Sequence, residues 1–149
     1  MIRITKGDMF ATHYDIRVNP VNCVGVMGAG LALAFRRRYP EMFEHYQWAC
    51  QTQQLAPGKI QTWSNSNECV VNFPTKRHWR DESTVGIIAD GLDALATYLW
   101  KFRPITVALP ALGCGLGQLS WPEVRVLIFH KLAGLPHDIS VFEPHSQRL

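Results

Sequence analysis

Apolar residues recur along this chain with two periods. From Ser83 to Phe102, Val85, Ile88, Leu92, Leu95 and Leu99 follow one another at steps of 3, 4, 3 and 4. That spacing predicts one helix with a single buried stripe, with Ser83 as its N-cap. Ile105–Leu109 is an unbroken apolar run closed by Pro110, the pattern of a strand covered on both faces. Around these two segments, strand and helix patterns alternate. Short strands are expected at Ile2–Thr5, Ile16–Asn19, Lys59–Trp63, Glu68–Phe73 and Ile139–Phe142. An Asn-Pro break ends the second of them. A polar loop, Ser64-Asn65-Ser66-Asn67, joins the third and fourth into an antiparallel neighbourhood. Helices are expected at Leu31–Tyr39, stopped by Pro40, at Glu41–Gln53, and at Trp121–Ala133, with Pro122 in its first turn and Gly134 past its end. Strands alternating with helices predict a layered α/β domain with a mixed sheet. No repeat, linker or low-complexity segment interrupts the pattern, so one domain is expected over residues 1–149, with Ser146–Leu149 a frayed tail.

Composition narrows the classes. Hydrophobic residues make up 47% and charged residues 18%, which suits a packed core and excludes a disordered chain. No apolar run approaches the roughly 18 residues of a membrane helix, and MIRITKGDMF has no apolar signal core. Cys23, Cys50, Cys69 and Cys114 form no CxxC pair, so a zinc ribbon or disulfide scaffold is not expected; free thiols in a cytoplasmic protein are. The six histidines lack paired spacing, so no metal is expected either. A net charge of +3 permits an anionic partner without identifying one.

Three loops follow strand ends, where α/β folds collect ligands. In Asn22–Gly30, Gly25, Gly28 and Gly30 allow positive φ and close approach, and a helix N-terminus behind them suits a phosphate. It is neither a Walker loop nor a GxGxxG fingerprint, and a plain glycine turn would read the same. In Ala111–Gly117, glycines alternate at 113, 115 and 117. Two such loops on one small sheet can grip a diphosphate from both sides. The third loop, Asn72–Arg80, interleaves Lys76, Arg77 and Arg80 with His78 and Trp79, a mixture that holds phosphates and stacks bases, or is simply a solvated basic loop with Trp79 on the core. Lys76 is the candidate for chemistry: a neutral lysine is a nucleophile, and burial or a cationic neighbour favours that form. Arg36-Arg37-Arg38 reads as a solvated helix face, and Cys23 and Cys114 as small buried residues.

Four motifs in order resemble the macrodomain family, an ADP-ribose-binding α/β fold, over Ile4 to about Pro144. They are Lys6-Gly7-Asp8-Met9, Val18-Asn19-Pro20-Val21-Asn22, Met27-Gly28-Ala29-Gly30-Leu31-Ala32 and Leu109-Pro110-Ala111-Leu112-Gly113-Cys114-Gly115. Residues 21–30 and 72–80 are similar to the DarG-type antitoxin branch, which removes ADP-ribose that a DarT toxin has placed on thymidine in DNA and is related to the human-type terminal ADP-ribose glycohydrolases. The resemblance implies a three-layer α/β/α fold with a mostly parallel sheet. It implies that Asp8 and the Met9 backbone bind adenine and that Phe142 stacks near it. Gly28, Ala29, Gly30, Gly113, Cys114, Gly115, Leu116 and Gly117 would bind the diphosphate and distal ribose through the backbone. Asn22 would hold the distal ribose beside Lys76, the pair forming the catalytic centre, with Lys76 either attacking the anomeric carbon or protonating the leaving base. Arg77, His78, Trp79 and Arg80 would hold single-stranded DNA. Gly117 stands where the human-type enzymes carry an aspartate. The implied protein is a cytoplasmic, monomeric glycohydrolase needing no cofactor, with a DarT-type toxin as partner. A hydrolase of ADP-ribosylated protein side chains and a non-catalytic ADP-ribose reader are the alternatives.

Overall fold

The computed structural model describes residues 1–145, so the expected frayed tail at Ser146–Leu149 lies outside the described residues. The chain runs β1 (Ile2–Thr5), β2 (Ile16–Val21), α1 (Gly30–Arg38), α2 (Pro40–Gln51), β3 (Gln61–Ser64), β4 (Cys69–Pro74), α3 (Val85–Leu99), β5 (Thr106–Pro110), α4 (Trp121–Leu132) and β6 (Asp138–Phe142). The strands form one six-stranded sheet in the order β1-β6-β5-β2-β4-β3. Every neighbouring pair is parallel except β3, which runs antiparallel to β4.

Period-two alternation within the strands sorts the core into two layers. Ile16, Val18, Val71 and Phe73 pack with Ile88, Leu92, Leu95 and Leu99 of α3 and with Val124, Ile128 and Leu132 of α4. On the other face Val21 and Val70 pack with Phe35 of α1 and with Met42, Tyr46 and Ala49 of α2. The result is the expected α/β/α sandwich. α3 rests closely on β4: a Cβ at Gly91 would stand 2.6 Å from Cε1 of Phe73.

The structure moves several element ends. β2 does not stop at the Asn-Pro pair but continues through Pro20 to Val21. The Val21 carbonyl accepts from Thr75 on the β4 side. Strand alternation turns the Pro20 nitrogen toward β5, where pairing ends at Arg17–Ala108 and no N–H is required. Pro40 both ends α1 and opens α2, because a first-turn N–H has no partner to lose. α2 stops at Gln51, two residues early, and Gln53 takes a left-handed φ of 57°. A turn at residues 56–59 delays β3 to Gln61. α3 is shorter than its periodicity at both ends, spanning Val85–Leu99. Its cap is Thr84, whose Oγ1 accepts from the Ile87 N–H at 3.2 Å; Ser83 sits one residue outside and is buried. Val85, counted in the stripe, is 40% exposed because it opens the helix beyond the sheet. No helix among the described residues is long and apolar enough to cross a membrane.

The sheet opens between its two central strands. β2 stays paired with β4 as far as Val21–Pro74, and β5 with β6 as far as Pro110–Phe142. The β2–β5 ladder covers only Ile16–Val107 and Arg17–Ala108. The two central strands therefore part toward their carboxyl ends and open a crevice there.

Candidate active site

Five parallel strands end at the same edge, so the loops after them share it. The loops after β2 and β5 are the two glycine-rich segments, and they flank the crevice.

In the first, Asn22 is 7% exposed, and its amide organises the turn that follows. Its Oδ1 accepts from the N–H groups of Val24 at 3.1 Å and Val26 at 3.4 Å, and from the Tyr46 hydroxyl at 2.6 Å. Its Nδ2 donates to the Val26 carbonyl at 2.7 Å. Desolvation raises the Tyr46 pKa well above that of a free phenol, so the hydroxyl stays a donor. Gly25 and Gly30 adopt left-handed φ values of 84° and 57°, whereas Gly28 does not. Gly28, Ala29 and Gly30 are exposed, α1 has no side-chain cap, and its first turn has no acidic residue. The free N–H groups of that turn face the edge with a partial positive charge.

In the second, Gly113 alone has a left-handed φ, 76°. The Leu119 N–H donates to the Gly113 carbonyl at 2.8 Å and folds the loop back on itself. Among the described residues, the N–H groups of Gly115, Leu116 and Gly117 donate to no protein acceptor. Gly117 is needed for a different reason: a Cβ there would collide with Ser83 Oγ and lie 2.6 Å from the Gly113 carbonyl oxygen. The Ser83 hydroxyl is buried and has no partner among the described residues. An aspartate at 117 would therefore require Ser83 or the Gly113 carbonyl to shift.

The third loop, after β4, ties the other two together. Thr75 donates its N–H to Val21 O at 2.9 Å, Cys23 to Arg77 O at 2.7 Å, and Ser83 to Gly117 O at 3.0 Å. Lys76 lies on this arch at 8% exposure, with its Nζ donating to the Trp79 carbonyl at 3.1 Å. Among the described residues no carboxylate pairs with it. Trp79 is not on the core: it is 47% exposed, tilted against His78 at 5.1 Å, with the Arg80 guanidinium 4.6 Å above its ring. Arg77 and Arg80 are exposed.

At the far end of the edge, β1 and β6 bring Asp8, Met9 and Phe142 together. Thr5 pairs with Phe142. Asp8 is exposed; its Oδ1 accepts from the Phe10 N–H at 2.8 Å, which leaves the second oxygen outward. Phe142 is half-buried, edge-on to Tyr14 at 6.1 Å. Met9 is buried, and Arg17 Nε donates to its carbonyl at 3.1 Å. Arg17 itself is 2% exposed and also bonds Thr12 O and Glu68. It fixes the loop that carries Asp8, a role the sequence hints at only by an arginine placed within a buried strand. Tyr46 and Ser83 are two more residues whose part in the site their helix or loop position did not announce.

The cysteines do not supply a nucleophile. Burial pushes the thiols of Cys23 and Cys114 up to about 11, and both remain protonated near neutrality. They are half-buried, not fully so. Among the described residues no group of three or more His, Cys, Asp and Glu side chains could hold a metal ion.

Fold and site together define an α/β domain that presents two backbone cradles and a buried lysine along one sheet edge. The family model of the Macro domain matches residues 18–128, and the chain belongs to that family. It is 39% identical over 150 residues to the DNA ADP-ribosyl glycohydrolase of Mycobacterium tuberculosis, an alignment covering 98% of this chain and 43% of that protein. The chain thus spans less than half the length of that curated relative. The solved macrodomain of Mycobacterium tuberculosis DarG superposes with a TM-score of 0.91 over 98% of this chain and 99% of that one. Thermosipho africanus DarTG, solved in complex with ADP-ribose, gives a TM-score of 0.90 at 32% identity, over 99% of this chain and 43% of that one. A human ADP-ribose glycohydrolase is a more distant relative, 25% identical over 85% of this chain and 81% of its own length. The chain therefore sits with the DarG-type macrodomains and is related to the terminal glycohydrolases.

Proposed function

We propose that this chain is a glycohydrolase that removes ADP-ribose from thymidine bases in single-stranded DNA and so reverses a DarT-type toxin. The observation that carries the reading is Lys76: a buried lysine without a carboxylate partner, on a loop stitched to both glycine cradles. The names of the relatives support the substrate class.

In this reading Asp8, the Met9 backbone and Phe142 hold adenine. The N–H groups of residues 28–30 and 115–117 take the diphosphate, with Gly113 and Cys114 shaping the second cradle. Binding so much of the ligand away from the reacting carbon positions that carbon. Asn22 acts mainly through the turn it organises, with the second Nδ2 hydrogen left for a ribose hydroxyl. Hydrolysis breaks the bond between the anomeric carbon and the thymine nitrogen; the carbon gains hydroxide from water and the base gains a proton. Lys76 serves this step either as the acid that protonates the leaving base or as an amine that forms a Schiff base with the ring-opened sugar. Arg77, His78, Trp79 and Arg80 hold the strand by phosphate contacts and stacking. The protein acts as a cytoplasmic monomer.

The test is an oligonucleotide carrying ADP-ribosylated thymidine, treated with the wild type and with Lys76→Ala. Loss of the modification with the wild type alone is expected. Tight ADP-ribose binding with no loss in either case would move the assignment to modified proteins or to a reader. Borohydride added during turnover decides the role of Lys76: a trapped covalent adduct marks the Schiff base, and its absence the acid.

A further inference from the structure

The site has an ordered axis. Along the carboxyl edge come Asp8 and Phe142 at β1 and β6, the glycine cradles at β5 and β2, Lys76 at β4, and then the approach to β3. Because β3 is antiparallel, with Gln61 opposite Asn72, the residues just before it lie at this same edge. A ligand with its adenine at Asp8 and its reacting carbon at Lys76 therefore sends whatever is attached to that carbon toward residues 53–56.

A groove of about 480 Å³ lies there, lined by Cys23, Val24, Gln53, Leu55, Ala56 and Arg77 among others. It merges, through Cys23, Val24 and Cys50, with a hollow that Gln47 and Gln51 line. Its volume is within the range of about 300–1,000 Å³ usual for small-ligand sites. It is joined to the catalytic loop: Cys23 donates its N–H to Arg77 O at 2.7 Å and its thiol to Lys76 O at 3.7 Å.

The lining has a definite chemistry. It contains no carboxylate among the described residues. Among the described residues the amides of Gln51 and Gln53 bond no other group, and Gln47 uses only its Nε2, on Gly25 O at 3.3 Å. A neutral amide offers a donor and an acceptor side by side, the match for a base edge. Leu55 gives an apolar wall for a base face, and the exposed Arg77 a charge for a phosphate. Gln53 is one of two non-glycine residues among the described residues held at a left-handed φ, and the bonds Gln53 N–H to Cys50 O and Gln54 N–H to Ala49 O keep it there.

The geometry points to this groove as the subsite for the unpaired nucleotide next to the modified one, its base edge read by Gln51 and Gln53 and its phosphate held by Arg77. The inference rests on the glycohydrolase reading above. The test compares two substrates, ADP-ribosylated thymidine as the free nucleoside and the same group within a short oligonucleotide, on the wild type and on the double variant Gln51→Ala, Gln53→Ala. Both glutamines are exposed, outside the catalytic centre. The expected result is a rise of about tenfold in KM for the oligonucleotide, the loss of two modest hydrogen bonds. The kcat, the nucleoside kinetics and ADP-ribose affinity stay unchanged. An unaltered oligonucleotide KM, or an equal loss on both substrates, overturns the subsite and leaves the glycohydrolase reading standing. A wild type inactive on both substrates while binding ADP-ribose overturns the reading and the subsite with it.

Discussion

Lys76 and Tyr46 illustrate two ways a single side chain serves this edge. Lys76 stands out in the sequence as a lysine three residues past the expected strand end at Phe73, in a basic-aromatic loop. Its burial and lack of a carboxylate were not legible, since they depend on how the arch from Thr75 to Ser83 is pinned at both ends. Tyr46 read only as a core position of a helix, yet its hydroxyl reaches Asn22, 24 residues away in sequence. Tyr46→Phe removes that bond and leaves the ring packing. It is expected to destabilise the Asn22 turn by about 1 kcal/mol, lower the melting temperature by about 2–4 °C and weaken ADP-ribose binding several-fold, as isothermal calorimetry would register. The raised thiol pKa of Cys114 makes a further expectation: at neutral pH it alkylates more slowly than free cysteine, and an alkylation rate equal to that of the free amino acid would contradict its burial.

At the scale of elements, apolar period and Pro/Gly punctuation located the six strands and four helices of the described residues, and the errors lie at their ends. Periodicity cannot see that Thr84 caps α3 in place of Ser83, because both are good caps and only the geometry of the loop to Gly117 decides. Nor does it show that Gly91 lets α3 settle onto Phe73. Gly91→Ala should gain helix propensity of up to about 1 kcal/mol and lose more, about 1–3 kcal/mol, to overpacking; chemical denaturation would show a lower midpoint. The starts of β2 and β5 are latched by Asp15, whose carboxylate accepts from Thr106 N–H at 2.9 Å and Oγ1 at 3.1 Å. The Thr106 backbone bond, foremost among several, lowers the Asp15 pKa. A lowered folded-state pKa contributes stability that is complete above the ordinary aspartate value of about 3.9 and is lost as pH falls through the folded value. Asp15→Asn should therefore lose that increment at neutral pH and converge with the wild type below the folded value, so the acid limb of its stability profile flattens.

For the molecule as a whole, strand order decides which residues can meet. The sequence supplied the loops but not their sequence along the sheet, and only the order β1-β6-β5-β2-β4-β3 sets Asp8 beside Phe142, the two glycine loops across one crevice, and Lys76 past them. The net charge of +3 is too small to mark a nucleic-acid binder. What matters is its local arrangement at Arg77 and Arg80, on the side where a leaving group would emerge. Affinity for the modified oligonucleotide should fall as salt rises, through release of counterions from its phosphates. ADP-ribose affinity should change much less over the same range, and parallel slopes would remove the strand from the binding account. The contact between Ser83 and Gly117 also has an evolutionary meaning. A side chain at 117 meets both the Ser83 hydroxyl and the Gly113 carbonyl, so an aspartate there requires one or both to shift. Positions 83 and 117 should thus change together across descendants of this fold, serine with glycine and a smaller residue with aspartate. Gly117→Asp alone should therefore lower stability, and pairing it with Ser83→Gly should recover part of the loss.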